Sequence, residues 1–236
     1  MSSINVKLSF KLFQGTFIQR LNRFLAEIEL DGKKVLAHLP NSGRMLTVLF
    51  PKCKAFLQEK RSLNRRSRYT MFAVEHHNIP IIVDTKFANK ITKALIDKGL
   101  FPPLRKYRVL KENVLKDRSR LDFLLGRNGQ RFYLEVKSVS YVINEVAMFP
   151  DAPTLRGRKH IQTLRKCLKE GFKAGILFAV QRPDAKTVRP CYEIDPKFSK
   201  LLEAAHKEGL NIFTQTLIFQ PPSSVKIEVL SPKFSF

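Results

Sequence analysis

Ser119-Arg-Leu-Asp-Phe-Leu-Leu-Gly-Arg-Asn-Gly-Gln-Arg-Phe-Tyr-Leu-Glu-Val-Lys-Ser138 is the stretch on which the reading of this chain turns. Two apolar runs flank Asn128-Gly129, the dipeptide favoured in a two-residue type I′ hairpin turn. Pairing through that turn places Asp122 opposite Glu135 and Arg120 opposite Lys137. Strand alternation then assigns Leu121, Phe123 and Leu125 to the other face, beside Phe132, Leu134 and Val136. That face is wholly apolar and suits a core. The first face gathers two carboxylates and a lysine, since opposed Cβ atoms stand ~4.5–5.5 Å apart.

Neighbouring carboxylates repel unless a cation lies between them. A pair at this spacing suits octahedral Mg²⁺, or Mn²⁺, which take hard oxygen ligands. Lys137 points the same way and is placed to orient a water or steady a phosphate. The plainer reading is a solvated hairpin face on which Lys137 and Arg120 neutralise two acids. The pattern Asp…Glu-x-Lys on a hairpin resembles the PD-(D/E)xK nucleases, although Leu121 stands where that name has proline. On this reading Asp122 and Glu135 are metal ligands, and Asp122, Glu135 and Lys137 are the catalytic group.

The 236 residues permit one large domain or two modest ones. Hydrophobic residues make up 44% and Phe numbers 19, ample for a packed core. Lys and Arg total 43 against 20 acids, a formal net charge of +23, which points to a polyanionic partner. A proteome biased toward basic residues is the other source of such an excess. Met1–Ser9 lacks the apolar segment of a secretory signal. The longest apolar run, Ala174–Val180, has seven residues, well short of the ~18 a membrane span needs. Cys53, Cys167 and Cys191 show no metal-binding or disulfide spacing. A cytoplasmic protein with no membrane association is expected.

Short strands and turns occupy the region from Thr16 to Asp84. Asp31-Gly32 is a second hairpin turn, matching Phe24 with Leu39, Ala26 with Ala37 and Ile28 with Val35. Further strands are expected near 54–59, 69–75 and 79–84, together a small OB-like β-barrel. The loop His38-Leu-Pro-Asn-Ser-Gly-Arg44 offers phosphate ligands in Asn41, Ser42 and Arg44. Equally, Asn and Ser there cap a short helix over Met45–Phe50, ended by Pro51. Lys60, Arg61, Arg65, Arg66 and Arg68 place five cations in nine positions, next to Tyr69 and Phe72. That is a solvated loop, or the combination of backbone contact and base stacking used by single-strand binders.

Several strings occur here in one order: Leu21-Asn-Arg-Phe24, His38-Leu-Pro-Asn-Ser-Gly-Arg-Met45, Ser119-Arg-Leu-Asp-Phe123, Glu135-Val-Lys-Ser138, and Phe149-Pro-Asp-Ala-Pro-Thr154-x-Arg-Gly-x-Lys-His160. Together, over most of residues 10–220, they resemble the sugar fermentation stimulation protein A family of bacteria and archaea. The resemblance implies an N-terminal OB-like domain, a C-terminal nuclease-like domain and DNA binding. It also implies further acids near Ala94 and Asn113, where this chain has none; Glu112 lies one residue away.

After Lys86 the pattern becomes α/β. Ile91, Leu95 and Ile96 recur at helical spacing up to Gly99, and a strand over 107–114 leads into the hairpin. A helix from about Arg156 to Glu170 turns Ile161, Leu164 and Leu168 inward and carries Arg158, Gln162, Arg165 and Lys169 on another stripe. That stripe is either a wet face or a phosphate contact. Asp151 reads as a metal ligand or a turn cap, and His160 as structural or phosphate-contacting. An apolar strand over 174–180, a helix over 196–208 and strands over 211–219 and 225–230 complete the chain.

The expected fold is thus α/β overall: an OB-like barrel (1–84), then an α/β/α restriction-endonuclease-like domain with a central mixed sheet (85–236). The expected function is a DNA-binding protein with a Mg²⁺- or Mn²⁺-dependent phosphodiesterase site. Arg44, Arg65, Arg66, Arg68, Arg158, Lys159 and Arg165 are the candidate nucleic-acid contacts, acting largely without regard to base sequence. A non-catalytic DNA-binding regulator on an inherited nuclease scaffold is the alternative.

Overall fold

Both dipeptides read as hairpin turns carry two successive positive φ angles, 51° and 72° at Asp31-Gly32 and 46° and 78° at Asn128-Gly129, as a type I′ turn requires. The computed structural model describes residues 3–60 and 67–236. Seven strands come first: β1 (Ser3–Lys7), β2 (Leu12–Asn22), β3 (Leu25–Leu30), β4 (Lys33–His38), β5 (Lys54–Glu59), β6 (Tyr69–His76) and β7 (Ile79–Ile82). Helix α1 (Thr85–Asp97) leads to β8 (Arg108–Lys116), β9 (Ser119–Arg127), β10 (Gln130–Val139), β11 (Tyr141–Ile143) and β12 (Val146–Phe149). Then follow α2 (Leu155–Lys169), β13 (Lys173–Val180), β14 (Thr187–Pro190), α3 (Pro196–Lys207), β15 (Asn211–Gln220), β16 (Ser224–Val229) and β17 (Lys233–Phe234).

Strands β2, β3, β4, β6 and β5 close a five-stranded OB-like barrel, because β4 pairs in parallel with β6 at Ala37–Tyr69 and His38–Thr70. The β3–β4 register is the one the Asp31-Gly32 turn dictates, with Ala26 opposite Ala37 and Ile28 opposite Val35. The second sheet has seven strands in the order β1-β16-β15-β13-β10-β9-β8. Its central β10, β13 and β15 run parallel and the flanking strands antiparallel, a mixed sheet. Helix α1 covers one face, while α2 and α3 cover the other. Each helix starts at an oxygen that accepts a free first-turn N–H: Asp84 from Lys86, Thr154 from Gly157, and Asp195 from Phe198. Among the described residues no helix is long and apolar enough to cross a membrane, and all three cysteines are buried and free.

Three features depart from the sequence reading. Residues 45–50 form turns rather than a helix; Met45 has a φ of 59° and buries its side chain in the barrel with Val48. Strand β1 joins the large sheet beside β16, so the first residues cross the expected division at 84. Leu121 packs with Val114, Tyr133 and Ile161, whereas Phe123 and Leu125 pack on the opposite face with Phe132 and Leu134. The strand therefore changes faces at Asp122. The hairpin register holds from Arg127–Gln130 to Phe123–Leu134 and ends there.

Barrel and sheet share one core. Phe56 of β5 and Phe72 of β6 meet Phe219 of β15 edge-on at 5.0 and 5.2 Å, and Phe72 meets Phe87 of α1 at 5.1 Å. Such ring pairs contribute roughly 0.5–1.5 kcal/mol each beyond their burial, so the barrel is fixed relative to the carboxylates of β9 and β10. The expectation that Phe72 is available for base stacking is corrected by its 1% exposure.

Candidate active site

The pairing of β9 with β10 stops at Phe123–Leu134, and beyond it the Asp122 carboxylate turns toward the β10 backbone. Val136 donates its N–H to Asp122 Oδ2 at 2.8 Å, and the Asp122 N–H lies 3.3 Å from Glu135 Oε2. From α1, Asn89 Nδ2 donates to Asp122 Oδ1 at 2.7 Å. Lys137 Nζ stands 2.5 Å from Glu135 Oε1. His160, on the buried side of α2, approaches the same Glu135 oxygen, and its Nδ1 is 3.0 Å from Lys137 Nζ. Arg156 Nε donates to His160 Nε2 at 3.4 Å.

Glu135 is 3% exposed. Burial pushes the Asp122 carboxyl up to about 7, with the Glu135 charge adding to the effect and the Val136 N–H, Lys137 and Asn89 opposing it. Burial also acts upward on Glu135, but Lys137 and His160 outweigh it and hold this carboxyl below its ordinary value. Around neutral pH the pair therefore shares a proton on the Asp122 side. Such a pair is relieved by a cation. Two carboxylates form an all-oxygen donor set that fits a hard divalent ion retaining several waters. Among the described residues no group of three His, Cys, Asp or Glu is arranged to ligate a metal.

The structure thus brings Asp122, Glu135 and Lys137 together and adds Asn89 and His160. Asn89 was missed because its role depends on how α1 is turned against the sheet. The acids implied near Ala94 and Asn113 have no replacement at the site: Ala94 is exposed, and Glu112 faces Lys93 at 3.9 Å.

The basic candidates scatter. Arg44 and Lys159 are exposed. Arg68 pairs with Glu59 at 2.5 Å. Arg158 Nε lies 3.4 Å from Asp195, and Arg165 grips both oxygens of Glu208. The expected cationic stripe on α2 is therefore largely turned to α3. Arg65 and Arg66 lie outside the described residues. Asp151 serves the barrel loop, accepting the Met45 N–H at 3.1 Å. A side chain at Gly43 would bring its Cβ to 2.3 Å from Asp151 Oδ2. Arg20, also missed, holds that loop by donating to the carbonyls of Asn41, Gly43, Arg44 and Arg23. The loop in turn reaches α1, where Thr85 Oγ1 donates to the Pro40 carbonyl at 2.9 Å. Ser138, next to Lys137, lies 3.5 Å from the Thr85 carbonyl.

Two family models match consecutive parts of the chain: the SfsA N-terminal OB domain over residues 18–83 and the sugar fermentation stimulation protein RE domain over residues 86–223. A sugar fermentation stimulation protein homolog of Methanothermobacter thermautotrophicus is 35% identical over 204 residues, covering 86% of this chain and 85% of its own. The homolog of Natranaerobius thermophilus is 37% identical over 205 residues, covering 85% of each. The solved structure of Pyrococcus furiosus SfsA in complex with Ca²⁺ superposes with a TM-score of 0.90 at 28% identity, covering 98% of this chain and all of that one. Two adjoining family models and relatives matched over most of their length agree, and the chain belongs to the sugar fermentation stimulation protein family.

Proposed function

We propose that this protein binds DNA mainly through the phosphate backbone and hydrolyses phosphodiester bonds with Mg²⁺ or Mn²⁺ at the Asp122–Glu135–Lys137 cluster. The observation that carries the reading is the buried acid pair, in which burial and Glu135 raise Asp122 to about 7, a charge arrangement that a divalent cation relieves. Asp122 and Glu135 would hold the ion. Once bound, it supplies an acidified water and a counter-charge for the phosphate. Lys137 donates to Glu135 at 2.5 Å and is placed to pass to a phosphate oxygen, where its charge offsets the negative charge developing on the reacting group. His160 keeps Glu135 ionised, and Asn89 fixes the orientation of the Asp122 carboxylate. The Ca²⁺ complex of the Pyrococcus furiosus relative supports a hard divalent ion in this family. The formal charge of +23 supports a polyanionic substrate.

A second reading, a non-catalytic DNA-binding regulator, is favoured by one observation. Lys137 and His160 already satisfy Glu135 Oε1, so an internal ion pair accounts for the acid without a metal. Incubating purified protein with single- and double-stranded DNA plus Mg²⁺ or Mn²⁺, beside Asp122→Ala, decides between them. Metal-dependent cleavage by wild type and none by the variant supports the nuclease. Salt-sensitive binding without cleavage in either ion supports the regulator.

A further inference from the structure

The barrel displays an aromatic side chain that its own packing covers only in part. Phe24, in the turn between β2 and β3, is 47% exposed, yet its backbone is tied on both sides. Its N–H donates to Asn22 Oδ1 at 2.9 Å, and its carbonyl accepts from the Leu39 N–H at 2.9 Å and lies 3.1 Å from His38 Nδ1. The Phe24 ring stacks beside the His38 ring, 6.4 Å between centroids and 28° between planes. The exposed half of the ring stays in water, on a backbone already fixed in place, and is available to an external partner.

Its surroundings indicate which partner. Arg23 and Arg44 are exposed in the adjoining loops. On the outer barrel surface, Glu27 is occupied: it accepts from Gln19 at 3.0 Å and pairs with Lys34 at 3.7 Å. A flat aromatic surface beside two exposed arginines matches an unpaired nucleobase and its phosphates. A paired base hides its faces in the stack and leaves such a platform idle.

The platform also leads to the acid pair. Two residues after His38, the Pro40 carbonyl accepts from Thr85 Oγ1. Thr85 meets Ser138, next to Lys137, and α1 also carries Asn89, bonded to Asp122. We propose that Phe24 and His38 form a stacking platform for a base of single-stranded DNA, positioning an unpaired segment beside the Asp122–Glu135 site. This deepens the proposed function and rests on its DNA-binding half.

The test is fluorescence anisotropy with the full chain in EDTA, using end-labelled oligothymidylate, the same strand annealed to oligoadenylate, and oligouridylate. Phe24→Ala and Phe24→Leu should each weaken oligothymidylate binding roughly five- to a hundredfold and leave the duplex affinity unchanged. Phe24→Tyr, which keeps the ring, should bind like wild type. Melting temperatures matching wild type confirm that each variant folds. Unchanged single-strand affinity in Phe24→Ala, an equal loss on duplex, or wild-type binding by Phe24→Leu overturns the platform. Tighter, Phe24-dependent binding of oligouridylate overturns the assignment to DNA. Divalent ions are absent throughout, so a protein that never cleaves but shows this pattern loses the nuclease reading and keeps the platform.

Discussion

Asp122 and Glu135 meet through the main chain as well as through charge: the Asp122 N–H lies 3.3 Å from Glu135 Oε2, and the N–H following Glu135 donates to Asp122 at 2.8 Å. The two carboxylates therefore cannot separate without breaking the junction of β9 and β10. Their repulsion is built into the fold.

That repulsion has a sign in pH. Asp122 titrates in the folded protein at about 7, above its ordinary value near 4. The folded state thus keeps a proton that the unfolded chain has released. The associated stability is complete below about pH 4 and is lost as pH rises through 7. In EDTA, wild type should lose stability between pH 5 and 8 relative to Asp122→Asn, by about 2 kcal/mol, or roughly 4–8 °C in melting temperature. Mg²⁺ or Mn²⁺ should restore the difference in wild type only. Parallel melting curves for the two proteins across this range would show that the acids do not repel.

Substitutions at the cluster should separate metal from chemistry. Asp122→Asn and Glu135→Gln keep shape but remove ligand charge, so Mn²⁺ affinity and cleavage should fall together. Their metal-free DNA binding should persist or tighten, because anionic repulsion of phosphate is relieved. Lys137→Ala should retain Mn²⁺ binding and lose cleavage by at least about a hundredfold. Calorimetric Mn²⁺ titration beside a nuclease assay checks all three. Wild type that takes up no heat-detectable Mn²⁺, with acid variants that merely melt earlier, would identify the hairpin as structural.

Much of the frame was legible because it rests on local chemistry. Asn128-Gly129 and Asp31-Gly32 specify both hairpins and their registers, and Asp195-Pro196 marks the start of α3. The acids and lysine were legible because alternation along β10 puts Glu135 and Lys137 on one side. What failed depends on tertiary context. Nothing local signals that β9 changes faces at Asp122, which sends Leu121 into a different core from Phe123. Asn89 and Arg20 look like ordinary polar residues until α1 and the 41–44 loop are placed around them. The helical reading of Arg158 and Arg165 found the right stripe but could not foresee that Asp195 and Glu208 would reach it. Strands β11, β12, β14 and β17 have two to four residues each, too few for a period to show.

The loop between barrel and sheet should behave as a coupled unit. Gly43→Ala forces a Cβ into the Asp151 carboxylate, which is held by the Met45 N–H. It should cost about 1–3 kcal/mol. Asp151→Ala removes the obstacle, so the double variant should be more stable than the sum of the single effects predicts, by roughly 1 kcal/mol. Strict additivity in urea melts would mean that the loop relaxes away from Asp151.

The salt dependence of DNA binding should distinguish engaged cations from available ones. Each phosphate contact contributes about −0.9 to the slope of log affinity against log salt on duplex DNA. Arg165 is bound to Glu208 through two hydrogen bonds, and Arg68 pairs with Glu59. Removing either should leave the slope near its wild-type value. Arg44, Lys159 and Lys86 are exposed on the barrel loop, α2 and α1, the elements that also contribute to or adjoin the acid pair. Alanine at each of these should flatten the slope by about 0.9 per phosphate lost. Anisotropy titrations from low to physiological salt provide the measurement. A slope that drops for Arg165→Ala but not for Lys159→Ala would mean that DNA displaces Glu208 and uses the α2–α3 face instead of the elements around Asp122.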